Sequence, residues 1–202
     1  MISRGDAVPI QNEQELADAA VRAGALLQEI QDYLGNQSSA TARVRFPRGV
    51  MRTAAVFRSA FPRYMPYDKR TTCAYGLMYF DAMWWLTHRT DLAGVAQEMC
   101  FKSMIITLGT VLEATLRIPA EPGLGGGGAG VKQRLDTAVQ RNWVTQADAD
   151  LLKQLWDHRN NVHAHVLGAT EFGLYKLAHV DGAARAVRRL VSNLKAWDDA
   201  RA

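Results

Sequence analysis

Leu16-Ala-Asp-Ala-Ala-Val-Arg-Ala-Gly-Ala-Leu-Leu-Gln-Glu-Ile-Gln-Asp-Tyr-Leu34, followed by Gly35-Asn36, sets the structural class of this chain. Leu16, Ala20, Ala23, Leu27, Ile30 and Leu34 recur at alternating steps of four and three, one apolar stripe down a helix of about 11–35. Gly35 and Asn36 end it, being residues that accept the backbone conformations of helix stops. The same reading extends outward. A helix over about 71–88 is apolar almost all round (Leu77, Met78, Phe80, Met83, Trp84, Trp85) and belongs at the centre of a core. Another runs from about Leu92 to Ile118, stopped by Pro119 and Pro122. A short one covers about 132–142. Thr145 with Asp148 forms a capping-box pattern opening a helix to about Val166. The last spans about 182–199, with Val187, Leu190, Val191, Leu194 and Trp197 on its apolar face. Only Phe172–Val180 has a pattern compatible with a short hairpin or strand. The expectation is an all-α bundle of about five to six helices with a basic, irregular arm at 37–70. Its layout is an N-terminal helix at 1–36, the arm, and a bundle at 71–202, together forming one domain.

Bulk properties fit that picture. The 202 residues are 48% hydrophobic and 22% charged, which suffices for a core and argues against extensive disorder. Two cysteines, Cys73 and Cys100, exclude a disulfide framework and a cysteine-rich zinc site, and both read as small buried hydrophobes. Met1 to Pro9 carries charge and no apolar run of the kind a signal peptide needs. The most apolar windows, 74–86 and 104–116, are short and contain Asp81 and Glu113, whereas a membrane span needs roughly 20 apolar residues. A soluble, cytoplasmic protein without membrane association is expected.

The net charge of +4 comes from one place. Between 43 and 70 stand Arg43, Arg45, Arg48, Arg52, Arg58, Arg63, Lys69 and Arg70 against Asp68 alone; this stretch carries +7 and the rest of the chain −3. Phe46, Phe57, Phe61, Tyr64 and Tyr67 are interleaved with the basic residues. Arginines that contact phosphates and aromatic faces that stack on bases would suit single-stranded RNA or DNA. The alternative is a solvated arm whose aromatics pack on the bundle while its arginines pair with acids elsewhere. The glycines of 123–130 lack the Gly-Lys-Ser/Thr ending and preceding strand of a phosphate-binding loop, and read as a flexible connector.

The most informative segment is Leu151-Leu-Lys-Gln-Leu-Trp-Asp-His-Arg-Asn-Asn-Val-His-Ala-His-Val166. On a helix, Leu152, Leu155, Val162 and Val166 share one sector, and Arg159 falls in its middle. His163 stands about 40° from Arg159 and His165 about 120° away. A guanidinium where leucine belongs must be paired or face a cleft. Glu113, a turn before Arg117 on the earlier helix, is the acid available for pairing; it can meet Arg159 across the core or Arg117 on its own helix. His158 sits on the flank, facing solvent, while His88 and His179 stand alone in sequence and receive no role.

Arg159-Asn160 followed by histidine at the end of a long helix resembles the signature of the HEPN superfamily. That signature is Arg, commonly then Asn, Asp or His, and a His after four to six intervening residues. Arg159 and His165 have five residues between them and fit. His163, with three, is closer than that spacing, yet helix geometry favours it as the neighbour of Arg159, so both stand as candidates. Ile105-Ile-Thr-Leu-Gly-Thr-Val-Leu-Glu-Ala-Thr-Leu116 looks like the family's earlier core helix, with its polar position at Glu113. The region 132–166 resembles the family's penultimate and motif helices. The resemblance covers about 90–190, and 1–88 has no counterpart in it.

The resemblance implies a helical bundle that dimerises, so that two Arg…His motifs meet in one composite site. It implies a metal-independent endoribonuclease of the toxin–antitoxin or antiphage-defence kind, needing no cofactor. Arg159, His165, His163 and Asn160 would form the catalytic set, with Glu113 as a supporting polar group. Arg43, Arg45, Arg48, Arg52, Arg58 and Arg63 would guide RNA. The partners so implied are RNA, a second copy, and a cognate antitoxin or defence protein. The alternative is a non-catalytic HEPN-like module that holds RNA, a nucleotide or a protein.

Overall fold

The middle of the chain places Met104, Ile105, Leu108, Val111, Leu112 and Thr115 at helical spacing, and all six are at most 2% exposed. They lie on α4 (Gly94–Thr115) of a computed structural model that describes residues 9–118, 129–162 and 173–201. Seven α-helices and no strand occur among the described residues. The others are α1 (Glu13–Leu34), α2 (Ala54–Ala60), α3 (Tyr67–Arg89), α5 (Val131–Gln140), α6 (Gln146–Asn160) and α7 (Leu177–Asp199). The all-α class read from periodicity is what the protein adopts. Contacts divide the chain into two units, 1–47 and 48–202.

The first unit carries α1. Asn12 caps it: its side-chain oxygen accepts from the Glu15 amide at 2.9 Å, while its own amide donates to the Glu15 carboxylate at 3.0 Å. Gly35 closes the helix at φ 53°, its N–H donating to the Gln31 carbonyl. The apolar stripe of α1 is as regular as the spacing predicts, yet none of its residues is buried.

In the second unit α4 packs against α3, α6 and α7, with α2 on α3, α5 on α6 and α6 on α7. By length and composition α4 is also apolar enough to cross a bilayer. What its buried residues meet here is the rest of the bundle. Thr145 caps α6 as its spacing predicts, its hydroxyl accepting from the Asp148 amide at 3.1 Å. Asp148 is also gripped by Arg189 of α7 at 2.8 and 2.5 Å, which ties the start of α6 to the last helix. Asn142, at φ 59°, turns the chain out of α5, in the left-handed region that asparagine tolerates better than most residues.

Three expectations are corrected. Among the described residues there are seven helices rather than five or six, because the basic stretch is not an irregular arm throughout. From Thr53, whose hydroxyl accepts from the Val56 amide, the chain enters α2 and buries Phe57, Phe61 and Met65 in the core. Only Phe57 lies on α2; Phe61, in extended backbone, caps its end, and Met65 follows in the turn before α3. Residues from Arg48 onward therefore belong with the bundle. Finally, Leu177–Val180 form the first turn of α7 and not a strand: Val180, Ala183 and Val187 continue one buried helical face. The Phe172 end of that expected strand and most of the glycine-rich segment lie outside the described residues.

Candidate functional site at the end of α6

Arg159 occupies the last turn of α6, one turn beyond the fully buried Leu152 and Leu155. It is half-buried, and its aliphatic stem lies on the backbone of α4 where that helix has Gly109. A Cβ at position 109 would stand 2.7 Å from Arg159 Cγ and 3.1 Å from its Cβ. Glycine is what lets the two helices approach with an arginine between them. The guanidinium continues outward over the Trp156 ring, 4.9 Å from its centroid, and donates from Nη1 to Asn160 Oδ1 at 3.2 Å.

No carboxylate faces Arg159 among the described residues. Glu113 accepts instead from Arg117, one turn along its own helix, at 2.7 Å. Of the two pairings open to Glu113, the local one is formed, so it does not support Arg159 as a polar neighbour. Among the described residues, Arg159 is thus a positioned cation whose charge no acid neutralises. Its remaining N–H donors can grip a planar or tetrahedral anion in two places at once.

His163 and His165 lie outside the described residues. Asn161, the cap of α6, presents its carbonyl toward the hydroxyl of the buried Tyr175 at 3.5 Å, just before α7.

The structure assembles a histidine pair that spacing does not disclose. His158 is half-buried, not solvent-facing, and stacks on His179 of α7 with ring centroids 4.4 Å apart. Burial, and then the neighbouring His179, hold its imidazole below the ordinary histidine range, while Asp157 opposes the shift. His179 Nδ1 is buried with no hydrogen-bond partner. Twenty-odd residues separate the two in sequence, and only the packing of α7 on α6 joins them.

This pair has a consequence for stability. Above the unfolded value near about 6.5, His158 is neutral in both states and costs nothing. As pH falls from there through the lower folded value, the unfolded chain binds the proton more readily, so stability declines. The urea midpoint of the wild type is expected to drop between pH ~7.5 and ~5 more than that of His158→Gln. Equal slopes for the two proteins would show that the stack does not resist protonation.

The basic stretch is less open than its composition suggests. Arg52 clasps Asp81 through Nε and Nη2 at 3.1 and 2.6 Å, and its amide adds a third bond to the same carboxylate. Arg63 pairs with Asp199 at 3.3 Å. Arg58 lies over the Tyr67 ring at 5.4 Å. Phe57 and Phe61 are core residues, and the Tyr64 hydroxyl donates to the Thr115 carbonyl at 2.6 Å. Of the five aromatics in this stretch, Tyr67 is 65% exposed and Phe46 partly exposed, so little aromatic surface is left for stacking bases. Arg43, Arg45 and Arg48 are exposed and carry no described ion pair.

Neither cysteine is a ready nucleophile. Burial pushes the Cys73 thiol up to about 11 and raises that of Cys100. Among the described residues no three His, Cys, Asp or Glu side chains gather to hold a metal ion. Comparison of the chain with family models, with curated proteins and with solved structures finds no match.

Proposed function

We propose that the chain is a metal-independent endoribonuclease, a cytoplasmic toxin-like or antiphage effector acting on RNA through an Arg/His site shared by two copies. The observation that carries this reading is Arg159: seated on Gly109, held over Trp156, bonded to Asn160 and facing no acid among the described residues, at the head of a motif resembling that of HEPN nucleases. An arginine so placed suits a phosphodiester, whose two non-bridging oxygens match its forked donors.

The chemistry needs a base, an acid and a clamp. A histidine near neutrality, His165 or His163, takes the proton from an RNA 2′-hydroxyl. That oxygen attacks the adjacent phosphorus, and the bond to the 5′-oxygen of the next nucleotide breaks. The corresponding histidine of the second copy gives the leaving oxygen its proton. Arg159 stabilises the charge building on the phosphoryl oxygens, with Asn160 holding its guanidinium. The products are a 2′,3′-cyclic phosphate and a 5′-hydroxyl. Arg43, Arg45 and Arg48 offer the exposed charge that draws RNA to the protein.

The test is cleavage of end-labelled single-stranded RNA by the full chain in excess chelator. Cutting into fragments with cyclic-phosphate ends is the expected result. RNA that stays intact while still binding in a salt-sensitive manner would replace the nuclease with a non-catalytic RNA-binding module.

A further inference from the structure

Away from Arg159, the second unit has a hollow of about 360 Å³, open to solvent on one side, between α2, α3, α4 and α7. Its walls are apolar: Phe57 and Phe61 from α2 and its end, Phe80 from α3, Leu108 and Val111 from α4, Val187 from α7. The volume is in the range of small-molecule sites, which run from roughly 300 to 1,000 Å³. Its polar lining is of one sign. Arg52, Arg188 and Lys195 contribute to it with the hydroxyl of Ser192, and no acid does. Two of these cations are already engaged, Arg52 with Asp81 and Lys195 with Asp199 at 2.6 Å each. Arg188 is exposed and has no partner among the described residues. It stands one turn from Ser192 on α7, so a guanidinium and a hydroxyl share one edge of an otherwise apolar hollow.

We infer that this cavity binds a small amphipathic anion, a free medium-chain carboxylate, with its head group on Arg188 and Ser192 and its alkyl body among the phenylalanines. The division of the lining selects that chemistry. A nucleotide or a phosphate would place polar surface against a floor that offers it no hydrogen bonds. A neutral hydrocarbon would leave Arg188 unused, and a cationic amphiphile would meet the like charge of Arg188 at the rim. A carboxylate gains a charge-assisted, bidentate contact at the rim while its chain removes apolar wall from water. This inference is independent of the RNA reading and uses none of its residues.

Isothermal titration of the full chain with decanoate, decanol and decyltrimethylammonium, all below their micelle-forming concentrations, tests it. Decanoate is expected to bind, with decanol weaker by roughly tenfold or more and the cation weaker still. Arg188→Ala should bring decanoate down to the affinity of decanol without changing that of decanol. Arg188→Glu, at an exposed position, should reverse the preference toward the cation. Ala184→Trp, which fills the hollow, should abolish binding of both decanoate and decanol; were it not to fold by circular dichroism, the two Arg188 variants would decide. Absence of heat with every ligand, equal affinity for acid and alcohol, or binding indifferent to Arg188 would each overturn the proposal.

Discussion

Alanine at position 159 is expected to slow RNA cleavage by roughly 10²–10³-fold, the effect of removing one preorganised donor to transition-state charge. The same substitution should leave the protein folded. No carboxylate among the described residues faces Arg159, so truncation orphans no buried acid there. What is lost is the contact with Trp156 and the packing of the stem on α4, about 1 kcal/mol or less. Had Arg159 been one half of a buried ion pair, the cost would be about 3–5 kcal/mol. Single-turnover cleavage and thermal unfolding, measured side by side, separate the two. Alanine at His165 or His163 should cost roughly 10²–10⁴-fold for whichever is the acid or base, and little for the other. Arg159→Lys keeps the charge but loses the fork, and should recover only a small part of the rate. Full activity of Arg159→Ala would remove the basis of the nuclease reading.

Gly109→Ala tests the same site from the opposite helix. The added methyl would lie 2.7 Å from Arg159 Cγ, too close for both atoms to stay. The arginine stem must move, and with it the guanidinium. A displacement of about 1 Å at a catalytic group can cost roughly 10²-fold, and that loss in cleavage is expected. Stability should change little, because alanine is favoured over glycine inside a helix by about 1 kcal/mol, which offsets the crowding. A double-mutant cycle makes this specific. In an Arg159→Ala background Cγ and the guanidinium are gone and only the Cβ contact at 3.1 Å remains, so Gly109→Ala should have no further effect on rate. Undiminished cleavage by Gly109→Ala alone would mean that the position of Arg159 does not matter. Neither outcome depends on the cavity on the far side of α4, which decanoate probes separately.

The two variants reach the same atoms from very different sequence signals. Arg159 announces itself, because a charged residue interrupts a leucine stripe at helical spacing. Gly109 does not: a glycine inside an apolar helix says only that something comes close, not what. The same limit hid the His158–His179 stack and the Arg52–Asp81 pair, whose members are 21 and 29 residues apart. It also left Glu113 with two possible partners, and the choice of Arg117 followed from proximity on one helix rather than from any pattern.

Local periodicity determined that the chain is helical, where most helices start and stop, and that position 159 is anomalous. These are properties of a few consecutive turns, fixed by side-chain spacing and capping groups within reach of one another. Over 54–70 the same limit applies: Phe57, Phe61 and Met65 reach the core from a seven-residue helix and the turn after it, and no single period links them. Tertiary structure alone decided which stripes are covered. The regular face of α1 buries none of its residues, while the short α2 and its cap put Phe57 and Phe61 into the core. Burial depends on what another helix brings to the same place, and a one-dimensional pattern carries no information about that.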